Sequence, residues 1–315
     1  LSSSKKSCIV YGGGGFIGSH LVDELLSKGY EVTVFDKLNF SKGNLEPAID
    51  RIKIIEGDFN NVIDIRNSLK NIDYVFHLVS STLPAGSNDN PVYDAETNLI
   101  SSLKLFKECV DQKIVKVIFL SSGGTVYGVP TTVPIGEDHP TKPICSYGII
   151  KKSIEDYLYL FNQIHGLDYC IFRLSNPYGE RQNPKAAQGA IAVFLNKIMR
   201  NEEIVIWGDG EVVRDYIYIK DAARALVKSL NINSQCKLFN LSAGKGYSLN
   251  QIIEAIKHVT GKGVVNLVYQ DKRSFDVPVS ILDNSLIVRE LDWKPETALT
   301  AGLEATHKYL SDLND

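Results

Sequence analysis

Tyr147 and Lys151 stand four residues apart in the run Ser146-Tyr147-Gly148-Ile149-Ile150-Lys151. On a helix that spacing puts a phenol and an ammonium on one face. A nearby cation favours phenolate, so a tyrosine with an ordinary pKa of about 10 is expected to act as a base near neutrality. An ordinary amphipathic helix also produces this pair, so its weight comes from the start of the chain.

There, Gly12-Gly13-Gly14-Gly15-Phe16-Ile17-Gly18 follows a β-branched apolar run and opens a helical pattern. Glycines at 12, 15 and 18 permit a tight turn, close backbone approach to a pyrophosphate and close helix–strand packing. The first N–H groups of the helix, from Phe16, Ile17 and Gly18, supply an anion site. A second apolar run ends in Asp36, about 20 residues on, where a carboxylate is expected to hold an adenosine ribose. It would repel a 2′-phosphate, which favours NAD over NADP. Asp58 and Phe59, after the third strand, are candidate adenine contacts, with a turn or cap as the plainer role of Asp58.

The elements that must position these groups alternate. Strands are expected over 7–11, 31–35, 52–56, 74–78, 115–120 and 169–173, and helices over 16–28, 98–110 and 147–165. Apolar strands alternating with helices predict an α/β fold, a Rossmann-type doubly wound parallel sheet. After about residue 180 the rhythm breaks, which predicts a smaller mixed α/β C-terminal substrate lobe. We expect a dinucleotide-binding domain over 1–179 and a lobe over 180–315, with segments near 214–240 returning to the first domain.

The 315 residues are 44% hydrophobic and 23% charged, as in an ordinary globular protein. A net charge of −3 argues against a nucleic-acid footprint. No apolar run approaches the roughly 20 residues of a membrane span, and the Ser- and Lys-rich start reads as the approach to a first strand, not as a signal peptide. Five cysteines without a C-x-x-C pair predict free thiols and a reduced, cytoplasmic setting. The histidines lack metal-ligand company, so no metal is expected.

Gly12-x-x-Gly15-x-x-Gly18, Asp36, the segment 121–128, Tyr147-x-x-x-Lys151, Asn176-Pro177-Tyr178-Gly179, Trp207-Gly208-Asp209-Gly210, Arg214-Asp215-Tyr216 and Arg273 to Pro278 together resemble the extended short-chain dehydrogenase/reductases. Within them the chain is most similar to the UDP-glucose 4-epimerase-like nucleotide-sugar enzymes, over nearly its whole length. The resemblance implies an NAD-dependent 4-epimerase of a UDP-hexose. Tyr147 would be its acid/base, and Lys151 would bind the nicotinamide ribose. It implies substrate contacts at Asn176, Trp207, Arg214, Arg273 and Asp276, and a homodimer formed through helices 98–110 and 147–165. Ser280 stands where related enzymes gate the sugar C2 substituent, and a small residue there implies that N-acetylated UDP-sugars enter.

One position departs from the pattern. The hydroxyl residue expected four before Tyr127 is Gly123, which leaves Ser122 or Thr125 to supply that hydroxyl, Thr125 being favoured. Gly124 and Thr125 also replace the Asp-Glu pair of nucleotide-sugar 4,6-dehydratases, so dehydration lacks a proton carrier. Another nucleotide-sugar oxidoreductase, a C5/C3-epimerase, and a non-catalytic NAD-binding regulator remain as alternative readings.

Overall fold

Strands buried on both faces explain the long β-branched runs of the first half. In the computed structural model, which describes residues 6–186, 189–232, 234–272 and 277–313, they are Ser7–Tyr11 (β1), Glu31–Asp36 (β2), Ile52–Glu56 (β3), Tyr74–His77 (β4), Lys116–Ser122 (β5) and Tyr169–Leu174 (β6). With Leu238–Leu241 they make a seven-stranded sheet in the order 238–241, β6, β5, β4, β1, β2, β3. The pairings from β3 through β6 are all parallel. The order reverses at β1, where a doubly wound sheet opens its ligand crevice.

The chain divides into two compact units. The first holds Leu1–Val129, Pro140–Leu174 and Ala223–Phe239, and the second Pro130–His139, Ser175–Ala222 and Asn240–Asp315. In the first unit, helices Phe16–Ser27 (α1), Val62–Ser68 (α2), Pro91–Asp94 (α3), Ser101–Asp111 (α4) and Ser146–His165 (α5) accompany the sheet. The helix expected from residue 98 begins earlier, at Pro91, with Asn90 capping the Tyr93 amide. It passes through a π-helical turn, Ala95–Ile100, before resuming as α4. Pro91 at the first helical position explains that start, since its fixed φ suits N1 and it has no N–H to leave unpaired.

α5 runs 20 residues and ends at Gly166, whose left-handed φ of 68° is readily adopted only by glycine. Its N-cap, Cys145, provides no side-chain cap. Instead Asn88 Oδ1 accepts from the Ser146 amide at 2.9 Å, and Ser87 Oγ accepts from the Tyr147 amide at 3.1 Å.

The second unit contains a four-stranded mixed sheet. Asn176–Tyr178 (β7) lies parallel to Val213–Tyr218 (β9), which also pairs with Gly246–Ser248 antiparallel and with Val279–Ser280 parallel. Ile204–Trp207 (β8) pairs with Leu267–Gln270. Among the described residues no helix is long and apolar enough to cross a membrane.

Beneath the C-terminal end of β5 lies a buried ion pair. Arg173 Nε and Nη2 donate to Glu155 at 3.1 and 2.7 Å, Ser121 Oγ donates to the same carboxylate, and the guanidinium rests 4.7 Å from the Tyr127 ring centroid. Removing one member strands the other charge in the interior, at a cost of roughly 3–5 kcal/mol. Glu155→Ala is therefore expected to lower the urea midpoint sharply, and Glu155→Leu combined with Arg173→Met to recover most of that loss.

Candidate active site

The glycine run folds back on itself at the end of β1. Gly12 has a φ of +82°, and the Gly15 amide donates to the Gly12 carbonyl at 3.2 Å. A Cβ on Gly18 would lie 2.3 Å from that carbonyl oxygen, so no larger residue fits. α1 then begins at Phe16 without a side-chain cap or an acid in its first turn. Its opening amides at Phe16, Ile17 and Gly18 belong to the set that a helix leaves without internal partners. Asp36, at the end of β2, accepts from the Gly14 amide at 2.9 Å and from the Lys37 amide at 2.9 Å. A loop stripped of side chains, a positive helix end and a carboxylate fastened to that loop together fit an adenosine diphosphate with a free ribose.

Asp58 accepts from the backbone and side-chain nitrogens of Asn60, so it organises the turn after β3. The Phe59 ring is buried against Tyr11 and His77.

Tyr147 and Lys151 share a face of α5, with the Lys151 ammonium 5.5 Å from the Tyr147 ring centroid and 4.8 Å from that of Phe119. Lys151 Nζ donates to the Leu120 carbonyl at 3.0 Å and is almost fully buried. Burial lowers its pKa to about 8, opposed by the carboxylates of Glu155 and Asp94. Burial likewise pushes Tyr147 up to about 12, helped by Cys145 and Asp94 and opposed by a hydrogen bond with Ser80. Lys151 is not among the groups that set this direction. The cation lies toward the ring, and in this structure desolvation of the phenolate prevails.

Thr125 stands beside the same helix. A Cβ on Gly148 would lie 2.9 Å from the Thr125 carbonyl oxygen and 3.2 Å from its Cβ. The Thr125 hydroxyl is buried without a hydrogen-bond partner among the described residues. Such a group costs free energy unless something else satisfies it. Ser122 contributes through its backbone, its carbonyl accepting from the Thr125 and Val126 amides.

Sequence reasoning missed several neighbours of this pair. Glu155 carried a signal, as the third member of a Tyr147, Lys151, Glu155 series at i+4 spacing. Ser80 and Ser87 carried none, because irregular backbone brings them in, and Asp94, at the end of α3, carried none because only that segment places it. His77 is buried, and burial lowers its pKa to about 3, so it stays neutral.

In the second unit Asn176, Trp207 and Arg214 line one cavity of about 410 Å³, together with Gln182, Phe194 and Tyr216. Trp207 is partly exposed there, not core. Arg214 Nη1 donates to the carbonyls of Val213 and Val277, and Asn176 Nδ2 to that of Asp215. Ser280 sits opposite Arg214 on the neighbouring strand. Arg273 and Asp276 lie outside the described residues. Gln182, another residue that the sequence did not single out, donates to the Pro177 carbonyl while its buried Oε1 has no partner among the described residues.

A strand order that reverses beside a glycine loop, with a Tyr–Lys pair on a following helix, defines a dinucleotide-dependent enzyme of the extended short-chain type. The comparisons carry this to a family. Residues 8–241 match the model of the NAD dependent epimerase/dehydratase family, and the chain belongs to it. A putative UDP-glucose 4-epimerase of Methanocaldococcus jannaschii is 35% identical, with 97% of this chain and 99% of that protein covered. The solved UDP-glucose 4-epimerase of Thermotoga maritima, in complex with UDP-glucose, is 37% identical with a TM-score of 0.92, covering 98% of this chain and 100% of that one. The UDP-N-acetylglucosamine 4-epimerase of Methanobrevibacter ruminantium, solved with UDP-N-acetylmuramic acid, is 34% identical with a TM-score of 0.92, covering 99% and 100%. The chain is accordingly an NAD-dependent enzyme of the epimerase type with a Rossmann-like sheet and a smaller mixed lobe.

The buried ammonium yields a measurable consequence. Because the folded pKa of Lys151, about 8, lies below its ordinary 10.5, the unfolded chain takes up this proton first as pH falls. Relative to Lys151→Met, the parent is expected to lose stability on going from pH 10.5 to 8, with no further change in the difference below about 8. The total is on the order of 3 kcal/mol. Denaturant midpoints of both proteins across that range check it.

Proposed function

We propose that this protein interconverts UDP-hexoses at C4, acting on UDP-glucose and UDP-galactose and on their N-acetylated counterparts. The observation that carries this reading is the buried, unpartnered Thr125 hydroxyl beside the Tyr147–Lys151 helix face. It offers a hydrogen bond to a reacting oxygen that Tyr147 would deprotonate, in a chain whose relatives bear 4-epimerase names.

NAD, when bound, supplies a reversible acceptor for the C4 hydrogen. The residues suited to hold it are the loop at Gly12, Gly15 and Gly18, the amides of Phe16 and Ile17, Asp36 at the ribose, the turn at Asp58 and Phe59, and Lys151. Tyr147 takes the proton from the sugar 4-hydroxyl as C4 is oxidised and returns it after the 4-keto sugar has presented its other face. Thr125 holds the reacting oxygen. Ser122 sets the turn that delivers Thr125. Tyr147 accepts the proton as phenolate and becomes neutral, and Lys151, its ammonium 5.5 Å from the ring centroid, offsets the charge of that phenolate before the transfer.

In the second unit Arg214 and Asn176 would meet a diphosphate and Trp207 a base, a reading supported by the one cavity that all three line. Arg273 and Asp276 complete the set by resemblance. By resemblance, a small residue at 280, which pairs with Arg214, would admit a C2 substituent.

The α5 surface supports a further reading. Ile149, Tyr157, Leu160 and Ile164 form an exposed apolar stripe, and Ile100 is exposed just ahead of α4. We infer that a second copy of this chain covers it, because a two-fold pairing is self-complementary and monomers rarely leave such a stripe open.

NMR of the NAD-loaded protein with UDP-glucose and UDP-GlcNAc is expected to show each C4 epimer appearing. Tyr147→Phe is expected to lower kcat by at least about 10²-fold. Ser280→Tyr is expected to abolish UDP-GlcNAc turnover while UDP-glucose turnover persists. Absence of any epimer from either substrate would overturn the reading. For the pairing, sedimentation of Tyr157→Glu/Ile164→Glu is expected to show a monomer where the parent is a dimer.

A further inference from the structure

Behind the Tyr147–Lys151 pair is a carboxylate that neither the reaction nor the sequence motifs call for. Asp94 closes α3, immediately before the π-helical turn, and is 1% exposed. Its Oδ1 accepts from Thr82 Oγ1 at 2.7 Å and from Asn98 Nδ2 at 2.8 Å, and its Oδ2 accepts from Ser146 Oγ at 2.6 Å. Three neutral donors thus hold a buried acid, with no cation in hydrogen-bond contact among the described residues. A buried charge without a bonded counter-ion is costly to keep.

The three donors come from different elements. Thr82 belongs to the irregular segment after β4, Asn98 to the π-helical turn, and Ser146 to the first position of α5, directly before Tyr147. The segment after β4 also supplies Ser87 and Asn88, which take the first two amides of α5. Ser81 is bound in as well, its amide donating to Asn98 Oδ1 at 2.9 Å. The start of α5 therefore has no cap of its own and depends on a segment that Asp94 ties down.

We propose that Asp94 is a positioning residue for the proton-transfer pair: it fastens the segment that caps α5, and its negative charge faces Tyr147 and Lys151 together. This rests on the reading of Tyr147 as the acid/base. The charge opposes phenolate at Tyr147 and favours ammonium at Lys151. The other titratable groups facing the pair are Cys145 beside Tyr147, Glu155 beside Lys151, and neutral His77 near Lys151. Glu155, paired with Arg173, is the larger carboxylate influence on Lys151, and among the described residues Asp94 is the carboxylate that acts on both members.

Two variants separate position from charge. Asp94→Asn keeps the size and removes the charge, whereas Ser146→Ala keeps the charge and removes one tether. The Lys151 ammonium is followed by NMR of 13Cε-labelled lysine, assigned with Lys151→Arg, which needs no turnover. Activity is followed as kcat and KM for UDP-galactose on the NAD-loaded protein. Asp94→Asn is expected to move the Lys151 midpoint downward by about half a pH unit or more and, because a carboxamide no longer accepts from Thr82, Asn98 and Ser146 together, to lower kcat at least about tenfold through the loosened tether, with KM nearly unchanged. Ser146→Ala is expected to lower kcat without moving the midpoint. A midpoint and kcat that both stay parental in Asp94→Asn would overturn the proposal. Should Asp94→Asn not fold, Ser146→Ala and Thr82→Val decide it: lowered kcat at parental KM supports the tether, and parental kcat in both refutes it. If the parent turns over no UDP-sugar, the epimerase reading fails, while the lysine titration still reports on Asp94.

Discussion

Lys151 carries an ammonium to a place that water scarcely reaches, and the first unit is arranged around keeping it there. One carbonyl, that of Leu120, takes a hydrogen bond from it, and the rings of Phe119 and Tyr147 flank it. A cation so desolvated tends to give up its proton. The carboxylates of Glu155 and Asp94 oppose that tendency, and each is fixed by its own network, Arg173 and Ser121 for one, Thr82, Asn98 and Ser146 for the other. The ammonium needs the end of β5 on one side and the i+4 ladder of α5 on the other. The register between sheet and helix is thus part of the site's electrostatics.

The cofactor end solves the opposite problem, bringing negative charge to a protein with a net charge of −3. It does so with backbone. The helix end at Phe16 presents amides, the glycines remove side chains that would block them, and Asp36 orders the loop by accepting from Gly14. Gly18 fixes the limit on variation here, because the Gly12 carbonyl occupies the volume of any Cβ.

Much of this was legible in the sequence, and the reason is periodicity. The strands at 7–11 and 52–56 and the glycine run follow from local patterns that tertiary context does not override. The Tyr147–Lys151 pair was legible as a spacing, and Glu155 extends the same spacing. What escaped was whatever depends on chain segments without a repeat. Asp94 reads as an unremarkable acid near a proline, and only the return of the segment after β4 places Thr82, Ser80 and Ser87 against α5. The direction of the Tyr147 shift escaped for a related reason. A motif states which groups are neighbours, whereas burial and the side on which the cation sits decide the balance.

Gly123 shows how a missing side chain can be a geometric choice. Its amide donates to the Leu174 carbonyl at 2.8 Å, continuing the ladder between β5 and β6 one residue past Ser122. The chain then turns within two residues, the Ser122 carbonyl accepting from both the Thr125 and Val126 amides. This turn sets Thr125 against Gly148, where the helix lacks a Cβ and the approach is close. A side chain at 123 would extend from the sheet edge, whereas Thr125 lies against α5 at Gly148. The glycine at 148 and the hydroxyl at 125 are therefore one feature. A larger residue at 148 would push Thr125 aside, and with it the hydroxyl that we propose in place of the one Gly123 does not supply.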